Sequence, residues 1–242
     1  FIEKPIKSHD ILIQQQKIVE RITMAATANV NDFRIGRIPK ARDCNPSDTA
    51  CRRLVIVISG PGGHPELLRL LPGLVPAMAE MNGAVVALQG LPPAFSEPFA
   101  QYLNERSGCP ATPIDHEMPM GTGRCYVGIQ GATLNIKMND SQPVIETDAP
   151  ENGLAPIDRF LESAATVFNR ELTVVLLSGA NTGAQAGLRT VNENKGRVIL
   201  RDRSSSMVSA PLEAVAQNGL ADAEVSPADL IQTVLNGFDS KP

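Results

Sequence analysis

Short apolar runs alternate with helix-like segments along most of this chain. The first run, Leu54–Ser59, is uninterrupted (LVIVIS), and a glycine-rich turn leads from it directly into a helical pattern that starts at Pro65. Strands that are apolar on both faces are typical of parallel sheets covered by helices on both sides. The pattern therefore predicts an α/β fold, doubly wound around a mainly parallel sheet. The predicted strands are Leu54–Ser59, Ala84–Gln89, Arg124–Ile129, Leu172–Ser178 and Arg197–Leu200.

The segments between these strands have the apolar spacing of helices. The predicted helices are Pro65–Leu71, Phe95–Arg106, Pro156–Asn169, Thr182–Asn194, Pro211–Asn218 and Pro227–Leu235. One stretch departs from the alternation, because Ala111–Glu146 contains short apolar runs separated by turns. This stretch predicts a small β-hairpin or meander inserted at one edge of the sheet.

Charge and hydropathy argue against a nucleic-acid partner and against a membrane-spanning segment. The formal net charge is −4, and no basic run is longer than two residues. A nucleic-acid partner is therefore not expected. No apolar run approaches the ~18 residues of a membrane-spanning helix, so no membrane span is expected. Because the chain begins with Phe1 rather than Met, we expect it to be a piece of a longer protein.

The four cysteines do not form a metal-binding or redox motif. None of them belongs to a CxxC pair, so the preferred interpretation is free thiols in a reducing cytoplasm. No metal or cofactor is expected. A zinc site that combines the cysteines with His64 or His116 is the less favoured alternative. The cysteines are Cys44, Cys51, Cys109 and Cys125.

Three loops follow predicted parallel strands. They are Ser59–His64, Gln89–Phe95 and Ser178–Gly183, and all are rich in glycine or proline. Ligands of open α/β sheets bind at the carboxyl ends of the strands, so these loops are the predicted functional site. The first loop has neither the Lys-Ser/Thr pair of a P-loop nor a GxGxxG pattern, and a nucleotide site is not favoured.

The three loops resemble, in this order, those of the chemotaxis protein-glutamate methylesterase family, called CheB. ISGPGG (Ile58–Gly63) is similar to the family's G-A-S-T-G-G, and QGLPPAFSEPFAQYL (Gln89–Leu103) is similar to Q-H-M-P-x-x-F-x-x-x-F-A-x-x-L. LSGANTGAQAGL (Leu177–Leu188) is similar to L-T-G-M-G-x-D-G-A-x-G-L. The likeness extends from about Leu54 to Phe238. The likeness implies that this chain contains the output domain of a two-component response regulator, which would act in bacterial chemotaxis-type signalling.

The N-terminal residues fit the same domain order. FIEKP (Phe1–Pro5) resembles the last strand of a receiver domain, in which Lys4 would be the receiver-type lysine. We therefore expect the end of a receiver and a linker helix at 1–29, a linker at 30–52, and the methylesterase-like domain at 53–242. The apolar stripe of Asp10–Asn29 is expected to pair with a second copy, giving a homodimer, or to lie on the main domain, with self-pairing favoured.

The resemblance also implies a catalytic triad, which this chain lacks. Ester hydrolysis by a serine needs an activated hydroxyl, a base and a group that orients the base. The family's serine, histidine and aspartate correspond to Gly60, Gly90 and Gly183. Glycine can perform none of these roles. The sequence therefore predicts a catalytically degenerate output domain that acts by docking to its own receiver and to chemotaxis-type receptors or signalling proteins.

Two other interpretations remain open. In the first, the protein is a functioning protein-glutamate methylesterase in which Ser59, His64 and Asp202 form a displaced triad. In the second, the emptied cleft binds a small ligand and the domain acts as a sensor. The carboxylate Asp158, in APID, is assigned the structural task of capping or bracing a helix start.

Overall fold

The computed structural model describes residues 44–129, 132–147, 155–180 and 185–239, together with Val19 and Pro39. The strands are β1 (Ser47–Ala50), β2 (Arg53–Ser59), β3 (Gly83–Gln89), β4 (Ala111–Pro113), β5 (Met118–Pro119), β6 (Gly121–Thr122), β7 (Cys125–Ile129), β8 (Leu134–Asn139), β9 (Gln142–Thr147), β10 (Leu172–Leu176), β11 (Arg197–Arg201) and β12 (Ala223–Val225). The helices are α1 (His64–Glu80), α2 (Ser96–Ser107), α3 (Pro156–Phe168), α4 (Gln185–Glu193), α5 (Ala210–Gln217) and α6 (Leu230–Asp239).

Seven parallel strands form the central sheet. Their order is β12-β11-β10-β2-β3-β7-β4, and every neighbouring pair is parallel. All five predicted strands belong to this sheet. The chain reverses its direction of winding beside β2, which lies between β10 and β3. The predicted α/β class and the mainly parallel sheet are confirmed.

Helices cover both faces of the sheet. Leu54, Ile56 and Ile58 of β2 belong to a core formed with α3, α4 and α5. The intervening Val55 and Val57 belong to a second core formed with α1, α2 and α6. Alternate side chains of a strand point to opposite faces, which explains why every position of this run is apolar.

Several predicted boundaries were wrong. Helix α1 continues to Glu80 through Pro72 and Pro76, whereas the sequence predicted its end at Leu71. Nine apolar residues of α1 are buried, and this packing outweighs the hydrogen bonds that the prolines remove. In addition, α6 begins at Leu230 instead of Pro227, and β10 ends at Leu176 instead of Ser178.

The predicted β insertion is only partly separate from the main sheet. Strands β5, β9 and β8 form a small antiparallel sheet, and Asp140 and Ser141 form the β8–β9 turn with φ of 45° and 76°. However, β4 (Ala111–Pro113) pairs with β7 in the main sheet and is parallel to it, which corrects the prediction. Strand β1, in the segment expected to be linker, pairs with β6.

Asp158 stabilises the start of a helix other than its own. It lies in the first turn of α3, but its Oδ1 accepts a hydrogen bond from Gly187 N of α4 at 2.8 Å. A Cβ at Gly187 would lie 2.8 Å from the Asp158 carbonyl oxygen, so the glycine allows the two helices to approach closely. Burial raises the pKa of the Asp158 carboxyl, and the backbone N–H groups of Gly187 and Ala186 oppose that rise.

Some predictions concern residues outside the described ranges. They include Lys4, Gly183 and, except for Val19, the helix predicted over Asp10–Asn29. The homodimer expected through residues 10–29 therefore stays a prediction. Among the helices that the structure describes, none has both the length and the apolar character needed to cross a membrane.

Candidate functional site

Two of the three predicted triad positions lie side by side. Ser59 and Gln89 are paired in register at the ends of β2 and β3, and the next residues are Gly60 and Gly90. The N–H of Gly90 donates to the Ser59 carbonyl oxygen at 3.1 Å. The third position, Gly183, is outside the described residues. Parallel pairing thus brings the first and second loops together at the carboxyl edge of the sheet.

The backbone of the third loop lies directly against Gly60. Gly60 N donates to the Ser178 carbonyl oxygen at 3.1 Å, and a Cβ built on Gly60 would lie 1.7 Å from the Gly179 carbonyl oxygen. Gly179 has a φ of +66°, and a Cβ there would lie 2.3 Å from the Pro61 carbonyl oxygen. Neither position has room for a side chain. The predicted nucleophile position, Gly60, is therefore closed by backbone atoms.

Ser59, the candidate displaced nucleophile, faces the neighbouring strand. Its side chain is fully buried, and its hydroxyl donates to the Leu88 carbonyl oxygen at 3.3 Å and contacts Oε1 of Gln89. The Gln89 amide in turn donates to the Gly60 carbonyl oxygen at 3.2 Å. These contacts brace the first loop against β3, as a buried structural serine does.

His64, the candidate displaced base, packs between helices. It is the first residue of α1, and its ring centre lies 5.6 Å from that of Phe99 and 5.3 Å from that of Tyr102, both on α2. Burial lowers the pKa of the imidazole. The ring is therefore a neutral packing group at neutral pH.

Asp202, the candidate orienting carboxylate, is bound to its own loop. It accepts hydrogen bonds from Ser204 N at 3.0 Å, from Ser204 Oγ at 2.9 Å and from Ser205 Oγ at 2.9 Å. The Ser205 hydroxyl is the main cause of its lowered pKa. The described contacts thus hold Ser59, His64 and Asp202 against three different groups of neighbours.

The sequence analysis missed a buried ion pair at the same end of the sheet. Glu66 lies in the first turn of α1, and Arg201 lies at the end of β11. The distance between Glu66 Oε1 and Arg201 Nε is 2.8 Å, and the two side chains are only 14% and 5% exposed. The carboxylate also accepts from Ser178 N at 3.1 Å and from Ser178 Oγ at 2.8 Å. The only signal in the sequence is an arginine that ends an apolar strand.

The cysteines are free thiols in the structure. Burial raises the pKa of Cys51 to about 12 and that of Cys109 to about 11. Burial also raises the pKa of Cys44 and Cys125. Within the part of the chain that the structure describes, no group of three His, Cys, Asp or Glu residues is arranged to hold a metal ion.

Comparison with known proteins establishes the family. The model of the CheB methylesterase family matches residues 55–235. The chain therefore belongs to the CheB methylesterase family, and the resemblance found in its three loops is confirmed.

The relatives match most of the chain. "Protein-glutamate methylesterase/protein-glutamine glutaminase 1" of Syntrophomonas wolfei is 25% identical over 98% of this chain and 70% of its own length. "Protein-glutamate methylesterase FrzG" of Myxococcus xanthus is 28% identical over 74% of this chain and 51% of its own length. The crystal structure of the Thermotoga maritima CheB methylesterase catalytic domain matches 76% of this chain and 97% of that domain, with a TM-score of 0.67 and 22% identity.

Proposed function

We propose that this chain is a catalytically degenerate member of the CheB methylesterase family. It acts as the output domain of a response regulator in chemotaxis-type signalling, by docking to protein partners in the cytoplasm. The observation that carries the proposal is the contact between Gly60 and Gly179. A Cβ on Gly60 would lie 1.7 Å from a backbone oxygen, so the loop has no room for the nucleophile.

The chemistry of ester hydrolysis supports the same conclusion. Gly60, Gly90 and Gly183 stand at the positions that correspond to the family's serine, histidine and aspartate. Loss of a complete triad lowers the turnover rate by ~10⁶, since only binding and oxyanion contacts remain. The displaced triad of the alternative proposal is not favoured, because Ser59 is buried against β3 and the His64 ring packs on α2.

The second loop provides a surface for docking. Phe95 follows Gly90 by five residues and is 53% exposed, although large apolar side chains are usually buried. The next helix, α2, follows directly, and its Phe99 is buried in the core, which fixes the helix that carries the end of the loop. An exposed aromatic side chain on a rigid base is the kind of residue that dominates protein interfaces. The proposed partners are the protein's own receiver, with Lys4 in its last strand, and chemotaxis-type receptors or signalling proteins.

Binding to a methylated receptor fragment tests this docking. We expect Phe95→Ser to weaken binding of the chain to a chemotaxis-receptor signalling fragment that carries glutamyl methyl esters. The expected loss is about tenfold, the effect of an interface anchor worth more than ~1 kcal/mol. Calorimetric titration measures the affinity, and mass spectrometry of the bound fragment should show that its esters remain.

Met138→Ser is the matched control. Met138 lies on β8 and is also 53% exposed, so the two variants remove equally exposed apolar side chains from different places. The control should bind as the unchanged protein does. Equal affinities of the two variants would rule out docking through the second loop.

A further inference from the structure

A cavity of about 210 Å³ lies beside the edge strand β4, and we call it the β4 cavity. Its polar side chains are Asp48, Thr112, His116 and Arg124. Tyr126, which also lines it, lies three residues before Ile129, and Ile129 is paired with Gln89 at the end of β3. At ~3.3 Å per residue, the cavity is ~10 Å along the strand from the edge of the sheet that carries the candidate site. A ligand bound there would leave the three loops unoccupied.

The charges that line the β4 cavity cancel each other. With His116 counted as neutral, the charged lining residues are Arg124 and Asp48, and Arg124 Nη2 lies 2.6 Å from Asp48 Oδ1. A charged ligand would have to compete with one member of this pair for the other. A neutral ligand leaves the pair intact and adds hydrogen bonds to its remaining polar atoms. The cavity is therefore suited to a neutral, polar ligand.

The polar lining can both donate and accept further hydrogen bonds. A guanidinium has five N–H donors, and the described contact of Arg124 with Asp48 engages one of them. That contact is made by Oδ1 of Asp48, so Oδ2 can accept from a ligand. The Thr112 hydroxyl also lines the cavity and has no hydrogen-bond partner in the part of the chain that the structure describes. Donors and acceptors side by side match hydroxyl groups, since a hydroxyl does both.

The apolar lining is held in place by the core. Met118 and Tyr126 are 8% and 2% exposed and belong to the core on one face of the sheet. The Tyr126 hydroxyl donates to the Pro119 carbonyl oxygen at 3.0 Å and accepts from Gly121 N at 2.7 Å. Because these neighbours engage its hydroxyl, Tyr126 offers the cavity mainly its ring. The same bonds hold Pro119, which also lines the cavity, against β7, so the apolar surface is preformed.

We infer that the β4 cavity binds a neutral hexose. The sugar hydroxyls bond to Arg124, Asp48 and Thr112, and the C–H face of the ring lies on Met118 and Tyr126. The volume corresponds to about seven water molecules at ~30 Å³ each, which is room for one six-membered sugar ring. An open-chain polyol has no such apolar face, and a hydrocarbon ring has no hydroxyls. A ring sugar is the class of ligand that uses both parts of the lining.

Titration of the full chain with glucose, galactose and mannose tests the site. Saturation-transfer NMR detects the binding, and we expect at least one of the three to bind with a Kd on the order of 1 mM, as is usual for a ligand of this size. The amino sugar and the uronate of the best-binding hexose should each bind about fivefold more weakly, because their charges compete with the Arg124–Asp48 pair. Cyclohexanol, which keeps the ring but has one hydroxyl, should bind about tenfold more weakly. Amide signals that shift on titration should belong to residues 112–126.

Two matched arginine variants locate the binding. Arg124→Gln should weaken hexose binding about fivefold, the effect of one charge-assisted hydrogen bond, and should fold normally because its partner Asp48 is 93% exposed. Arg203→Gln is the control, since Arg203 is also 35% exposed and paired with a carboxylate, Glu224 of β12, and it should leave the affinity unchanged. The inference is overturned if none of the three hexoses binds, if cyclohexanol or a charged analogue binds as tightly, if the shifted amide signals lie elsewhere, or if the two variants have equal affinities.

Discussion

Gly60→Ser should destabilise the domain strongly and should not create activity. The new Cβ would lie 1.7 Å from the Gly179 carbonyl oxygen, and this backbone atom cannot move without disturbing the contact between Gly179 and Pro61. The expected loss is about 3 kcal/mol of unfolding free energy, the upper range for overpacking. For a domain of this size, the midpoint of thermal unfolding should fall by roughly 6–12 °C.

Gly90→Ala is the matched control for this prediction. Gly90 stands at another of the predicted triad positions, but it is exposed and directly follows β3. Its substitution should change the unfolding free energy by no more than ~0.5 kcal/mol. Calorimetry of the two variants gives the comparison. Equal stabilities of Gly60→Ser and Gly90→Ala would contradict the closed loop described above.

Glu66→Gln should lower the unfolding free energy by a similar amount, but for a different reason. It removes the carboxylate that faces Arg201, whose side chain is only 5% exposed. Removal of one partner from a buried ion pair typically costs 3–5 kcal/mol, because the other charge is left without compensation. Since Glu66 is 14% exposed, we expect the lower end, about 3 kcal/mol, measured by urea denaturation.

A surface variant and a double variant separate this effect from general damage. Glu80→Gln changes an exposed carboxylate on the same helix, so it should alter the unfolding free energy by less than ~0.5 kcal/mol. Glu66→Gln combined with Arg201→Met should be more stable than Glu66→Gln alone, since no unpaired charge stays buried. If Glu66→Gln costs no more than Glu80→Gln, the buried pair does not contribute as described.

The fold was largely predictable because its strands have a strong local signal. β2 is apolar at five consecutive positions, and such a run has few alternatives to a strand buried on both faces. The end of α1 was not predictable in the same way. Pro72 and Pro76 suggest a helix end, and only the tertiary packing of Leu74, Val75 and Met78 shows why the helix continues. Similarly, nothing local indicates that β4 pairs with β7.

The candidate site was predictable in position but not in detail. Loops that follow parallel strands meet at one edge, and this rule brought Gly60 and Gly90 together. The contact of Gly60 with Gly179 depends on loop geometry about 120 residues away in sequence, which no local pattern encodes. The Glu66–Arg201 pair was missed for the same reason. A charged residue at the end of a strand is ordinarily read as exposed.

Release of methanol from a methylated receptor fragment tests the central claim most directly. The full chain is incubated with the fragment at equimolar concentration, which detects even a single turnover, and the Thermotoga maritima methylesterase domain serves as the positive control. We predict that the unchanged chain and Ser59→Ala both release methanol no faster than the fragment does in buffer alone. The account would be contradicted if the unchanged chain released methanol. If Ser59→Ala or His64→Gln then abolished the release, while circular dichroism showed both variants to be folded, a displaced triad would be established.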